Sequence, residues 1–276
     1  MAGGTCPTSA SQTTQTSCTD KGIAAGNDST TVTAVWHSWT ATSSPADVVL
    51  SSGAAAQVVL FSSTSNLLSG TTRTLTAAIQ DASGNLVTSG PDSTDAITFA
   101  QTAGTGTVTS LSTVNGVNGI AVETITGALA GSVGLQASAI LSGPGLANSS
   151  PQSFSVVPGA ASQIALSGAT TNLTSGTTRA LTATIEDAAG NTITSGGDAN
   201  DAITFAKTSG AGTVSGLSTV TASGGVATDT ITGSVAGAVT LRASATVNGT
   251  ATNSGSLAFT VSFGAASQLV LAGANT

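Results

Sequence analysis

The chain has 276 residues, of which only 6% are charged, with twelve acidic and five basic side chains and a formal net charge of -7. A typical soluble domain has roughly 25% charged residues; here Ser, Thr, Gly and Ala take their place. The five basic residues, Lys21, Arg73, Arg179, Lys207 and Arg242, are scattered. This excludes a basic stripe able to neutralise a nucleic-acid backbone or to hold an anionic membrane surface.

Few helix-forming positions occur, whereas Thr and Val favour strands and Gly, Asn and Ser favour turns. No run of about 18 apolar residues is present, so this segment contains no helical membrane span. Met1 is followed by AGGTCPTSAS, without a basic start or an apolar run. That beginning reads as a processed product, a fragment, or a phage structural protein that needs no leader.

Residues 1–52 form an extension that matches nothing else in the chain. Its first part carries both cysteines, Cys6 and Cys18. In an oxidising compartment they are expected to close a small disulfide loop; otherwise they are two free thiols. Residues 31–38 alternate as one strand, and a second strand is expected at 47–51. Trp36 and Trp39 flank His37 and Ser38. Two readings stand for them: local core, or aromatic anchors at an interface.

From residue 53 onward the sequence repeats itself. IQDASGN at 79–85 returns as IEDAAGN at 185–191, and DAITFA at 95–100 returns unchanged at 201–206. GTVTSLSTV at 106–114 becomes GTVSGLSTV at 212–220. The offset is 106 residues and falls to 105 when SFSV at 153–156 meets AFTV at 258–261. A loop-length change lies between these positions, where a sandwich tolerates one. The reading is therefore 53–158 as repeat 1, 159–263 as repeat 2, and 264–276 as the first strand of an incomplete third repeat or a donor strand for another subunit. GAASQIALSG at 159–168 indeed recurs as GAASQLVLAG at 264–273.

Within repeat 2, short strands are expected near 163–167, 179–186, 201–207, 212–215, 218–222, 225–232, 238–246 and 256–262, separated by turn signals. Alternation places Leu181, Ala183 and Ile185 on one face, and likewise Val239, Leu241, Ala243 and Ala245. Repeat 1 does the same with Leu75, Ala77 and Ile79, then Val133, Leu135, Ala137 and Ala139. In 225–232, Val226 and Ile231 have opposite parity, which suggests a bulge. Phe99, Phe205, Phe154 and Phe259 occupy matching core positions. The fold class is all-β: tandem immunoglobulin-like β-sandwich repeats.

The runs LTATIEDAAGNTITSG, ITFAKTSGAGTVSG and GGVATDTITGSVAGAVTLRASATVNG resemble the bacterial Ig-like domains of surface adhesins, of the invasin/intimin type, group 1. The signals fall at 182–193, 203–205, 212–214, 225–232 and 240–249, and in the first copy at 76–87, 97–99, 106–108, 119–126 and 134–140. The resemblance covers about residues 54–262. One departure is a longer, acidic link before each ITFA strand, carrying Asp92 and Asp95 in the first copy and Asp198 and Asp201 in the second. The resemblance implies a non-enzymatic structural or adhesive protein, extracellular on the bacterial surface, with Ig-like modules as a stalk or fibre. The implied partners are adjacent repeats, other copies of the chain, and a host or cell-surface receptor. Three other assignments remain open: a self-assembling filament subunit joined by strand exchange, a phage virion or tail protein, and last a carbohydrate-binding module, which would want an aromatic platform where this chain has no Tyr and only Trp36 and Trp39. No lectin-like tip is visible, so no residue inherits a receptor contact.

Asp92, Asp95, Asp198 and Asp201 are the candidate metal ligands, with calcium as the cofactor they suit and Asp81 and Asp187 as further oxygen donors near turns. The competing reading is turn chemistry, because no DxDxDG loop exists and Asx residues cap turns. No enzyme is expected. The one histidine, His37, has no repeat counterpart, and no paired catalytic carboxylates recur outside turns. A Lys–Asn crosslink common to both repeats is excluded, because Lys207 is matched by Gln101.

Overall fold

The computed structural model describes residues 26–30, 33–36, 39–42 and 46–266, with side chains described at 42 and 51–266. Cys6, Cys18 and His37 lie outside the described residues, as do residues 267–276 of the expected donor strand.

The extension contributes β1 (Gly26–Thr30), β2 (Thr33–Trp36), β3 (Trp39–Thr42) and β4 (Ala46–Leu50). β1 pairs antiparallel with β4, and β2 with β3. The strand expected at 31–38 corresponds, over its described residues, to β2, and it has an antiparallel partner in β3 that alternation did not reveal. The second expected strand corresponds to β4.

Repeat 1 begins with β5 (Ala55–Phe61), β6 (Leu67–Leu68), β7 (Thr72–Asp81), β8 (Ala96–Ala103) and β9 (Val108–Thr109). It continues with β10 (Thr113–Asn115), β11 (Ile120–Gly127), β12 (Gly131–Leu141), β13 (Gly145–Asn148) and β14 (Gln152–Val157). One sheet runs β5-β7-β11-β9; the other runs β10-β8-β12-β14-β6, with β13 pairing with β12. Between β5 and β6 the chain changes sheets, and β6 pairs parallel with β14. The other strand pairings in the repeat are antiparallel, and a single parallel bridge joins Ser69 to Gly127.

Repeat 2 reproduces this arrangement. Its strands are β15 (Ala161–Ser167), β16 (Leu173–Thr174), β17 (Thr178–Asp187), β18 (Ala202–Ser209) and β19 (Thr213–Ser215), then β20 (Thr219–Thr221), β21 (Val226–Val235), β22 (Gly237–Val247), β23 (Thr250–Asn253) and β24 (Leu257–Ser262). The sheets run β15-β17-β21-β19 and β16-β24-β22-β18-β20, with β23 on β22. All eight strands expected from the sequence are present. The two additional ones, β16 and β23, are short.

Each sandwich closes over its own apolar core. The alternating residues named above point inward, and Leu75, Ile79, Leu135, Leu181, Ile185 and Leu241 are fully buried. The four matched phenylalanines are buried as expected. Burial of this kind stabilises by about 1.5–3 kcal/mol per large side chain.

The bulge expected at Val226 and Ile231 does not occur there: the β17–β21 register runs without a shift from Thr178 to Thr184. Ile231 faces the core, while Val226 lies on the outer face at 38% exposure. Of the two inward positions between them, one holds Ala227 and the other Asp229. Its carboxylate accepts hydrogen bonds from Ser218 N (2.9 Å), Ser218 Oγ (3.2 Å) and Thr230 N (2.9 Å). A polar residue in an apolar slot, satisfied locally, broke the alternation. Shifts in register fall elsewhere, between Lys207 and Ser209 and between Ala161 and Gln163.

Two of the basic residues, Arg73 and Arg179, occupy matching positions in the two repeats. Arg73 donates to the carbonyls of Ser63 (2.8 Å), Ser65 (2.6 Å) and Asn66 (3.2 Å), and lies 4.4 Å from the Phe154 ring centroid. Arg179 does the same to Thr171 (2.7 Å) and Asn172 (3.2 Å), 4.6 Å from Phe259. Each guanidinium ties down the segment in which the chain changes sheets, with a cation–π contact beneath it. Gly104 and Gly210 hold another repeated close approach. Both have φ of 102°, and a Cβ at either would collide with a backbone carbonyl of Ser132 or Ala238.

Candidate functional site at the joint between repeats

The acidic links form short 3-10 turns, Pro91–Thr94 and Asp198–Asn200. Asp92 Oδ1 accepts from Ser142 N (2.8 Å) and Ser142 Oγ (2.7 Å). Asp198 Oδ1 accepts from Asn248 N (2.9 Å). Each therefore clasps the link onto the turn between the repeat's two hairpin strands. Asp95 Oδ2 and Asp201 Oδ2 are buried without a hydrogen-bond partner among the described residues. Burial first, then the neighbouring Asp92 carboxylate, pushes the Asp95 pKa up. Burial followed by the charge of Asp198 does the same to Asp201. The Ser142 hydroxyl and amide hold Asp92 down.

Calcium takes six to eight oxygens. Each pair supplies two carboxylates, and no group of three or more His, Cys, Asp or Glu comes together among the described residues. Asp81 and Asp187 are not drawn toward these pairs; both are committed to another turn. In the extension, the backbone register places Trp36 opposite Trp39 across the β2–β3 hairpin.

The best-built polar site is one that residue patterns did not single out. Only residues 158–160 separate β14 from β15. At this joint, the turn after β17 is closed by Asp187. Its Oδ1 accepts from Ala189 N and Asn191 N, both at 2.9 Å. Its Oδ2 accepts from Asn191 Nδ2 and from Gly159 N in the linker, again at 2.9 Å. Burial pushes the Asp187 pKa up, but the hydrogen bonds from Asn191, Gly159 and Ala189 outweigh it and hold the group at about 2.

Asn191 then reaches out of its own repeat. Its Nδ2 donates to Ala128 O (2.8 Å) and Ser69 Oγ (3.1 Å), and its Oδ1 accepts from Ala130 N (2.7 Å). Ser69 Oγ in turn donates to Ala128 O (2.8 Å). Asn191 is 7% exposed, Ser69 9% and Asp187 2%. The carboxamide is thus a plug, oriented by Asp187 and seated in a socket of repeat 1. Gly159 is required beside it, because a Cβ there would come within 2.7 Å of Ser69 O.

The sequence did contain a signal for this site. Asp187 and Asn191 stand in the repeated IEDAAGN, but an Asp–Asn turn closes itself in any hairpin, and the contact with Ser69 spans 122 residues.

No family model matches the chain, and no curated protein matches it. Among solved structures it is similar to the Escherichia coli adhesin FdeC, at 24% identity over 86% of this chain and 74% of that one, with a TM-score of 0.40. It is similar to the Yersinia pseudotuberculosis adhesin InvE at 19% identity, covering 74% of this chain and 58% of that one, TM-score 0.32. The D00-D0 domain of intimin matches at 16% identity over 73% of this chain and 98% of that one, TM-score 0.38.

Proposed function

We propose that this chain is a non-enzymatic structural and adhesive protein of the bacterial surface, in which Ig-like repeats act as segments of a stiff stalk or fibre. The observation that carries the reading is the joint. A three-residue linker leaves little slack, and its Gly159 amide is bonded to Asp187 while Asn191 is bonded into the preceding repeat. A buried, multiply hydrogen-bonded contact of this kind fixes one relative orientation, as a spacer needs. On this reading the partners along the fibre are neighbouring repeats, and a receptor would be engaged elsewhere than at this joint.

The test is electron microscopy and small-angle scattering of the purified chain. The expected result is a rod with a narrow distribution of angles between the two repeats. A broad distribution would overturn the stalk reading. Polymers that exchange residues 264–276 would replace it with that of a filament subunit.

A further inference from the structure

The far end of repeat 2 carries the same socket, built and, among the described residues, uncovered. Ser175 Oγ donates to Ser234 O at 2.7 Å, as Ser69 Oγ does to Ala128 O at 2.8 Å. Ser175 N donates to Ser262 O (2.9 Å) where Ser69 N donates to Val157 O (2.8 Å). Gly176 N and Gly70 N donate to Gly233 O and Gly127 O, both at 2.9 Å. Gly264 approaches Ser175 O as Gly159 approaches Ser69 O. The difference lies in the cover. Ser69 is buried by the second repeat, whereas Ser175 is half-exposed and Ser234 is exposed. Ala130 N is bonded to Asn191; among the described residues, its counterpart Ala236 N has no acceptor.

We propose that Ser175, Ser234 and Ala236 form a docking socket for a following Ig-like repeat, one that presents an Asn carboxamide oriented by an Asp four residues before it. The carboxamide would donate to Ser234 O and Ser175 Oγ and accept from Ala236 N. The occupant is argued from the linker: GAASQ at 264–268 repeats the GAASQ of 159–163. In the second repeat, the residues that fill the first socket lie 28 and 32 positions after Gly159, at Asp187 and Asn191. This deepens the stalk reading and rests on it, because it makes the joint a periodic device.

The experiment extends the full chain past Thr276 with a copy of residues 172–263, completing a third repeat in register. Amide hydrogen exchange is then followed at Ala236. Exchange there is expected to slow roughly tenfold on extension, the worth of about one net hydrogen bond. The protection should be lost when the copied Asn191 is changed to Ala. In the unextended chain, Asn191→Ala should deprotect Ala130 in the same way while the core amides of both repeats stay protected, which separates loss of the joint from loss of the fold. Unchanged Ala236 exchange in the extended chain overturns the proposal. Concentration-dependent Ala236 protection in the unextended chain assigns the socket to a second copy and overturns it as well. A straight rod without Ala236 protection would sink the socket and keep the stalk. Protection with freely varying repeat angles would do the reverse.

Discussion

The two repeats agree in their cores and differ at their rims. Leu135 and Leu241 are both fully buried in matching strands. At the rim, Asp92 receives two hydrogen bonds from Ser142 where Asp198 receives one from Asn248. Arg73 reaches three carbonyls, whereas Arg179 reaches two and has Nη1 buried without a hydrogen-bond partner among the described residues. The outer face of the β12–β13 hairpin carries Ile140 and Leu146, exposed at 75% and 66%, where the β22–β23 hairpin carries Thr246. Packing in the interior tolerates little change, while the edges of a sandwich drift freely.

The largest effect should be the least discriminating. Leu135→Ala and Leu241→Ala are each expected to cost about 2–5 kcal/mol, similar for both, by chemical denaturation. A difference beyond about 2 kcal/mol would show that the cores are not equivalent. The clasps should separate the repeats more clearly. Asp92→Ala is expected to cost about 2 kcal/mol and Asp198→Ala about 1, following the number of bonds each makes to a charged acceptor. Equal costs would remove Ser142 from the explanation.

Acid should act more gradually. Hydrogen bonds, first from the Asn85 side chain, hold Asp81 at about 2, and those from Asn191, Gly159 and Ala189 hold Asp187 there against burial. An unfolded Asp titrates at about 3.9. Both groups therefore favour folding fully above that value, and their contribution fades as the pH falls through 2. Asp95 and Asp201, raised by burial and by their neighbours, work the other way: they favour the folded form at low pH and lose that contribution as the pH rises through their folded values. Thermal scans between pH 2 and 5 should show an acid decline that Asp187→Ala flattens. An unaltered decline would remove Asp187 from it. The smallest effect is expected at the hairpin. Ile140→Thr, which imports the residue of repeat 2, should shift stability by no more than about 0.5 kcal/mol.

Much of the fold was legible because the two copies read each other. Strand positions in repeat 2 follow from alternation and turn signals, and a pairing missed in one copy is missed in both. β16 was invisible because Leu173 and Thr174 form a strand only through their parallel partners Val261 and Ser262. Val226 misled because it is an apolar residue on the outer face, while the polar Asp229 takes one of the inward positions of its strand. The role of Arg73 and Arg179 became visible only when the fold set each over a phenylalanine of its own repeat. The joint was the least legible feature: Asn85 and Asn191 are the same turn residue in sequence, and only the fold shows that Asn191 contacts the preceding repeat.

The parallel pair of β6 with β14 has a mechanical consequence. These strands lie near the entrance and the exit of the repeat, and Leu67 and Leu68 run alongside Val156 and Val157. Traction along the chain meets the β5–β7 pairing first; the part that passes on to β6 and leaves after β14 slides those two strands past each other. Their bonds are strained together and not peeled one at a time. Repeat 2 meets the same pull at Leu173 and Val261, so the patch that closes each sandwich is also its latch against stretching.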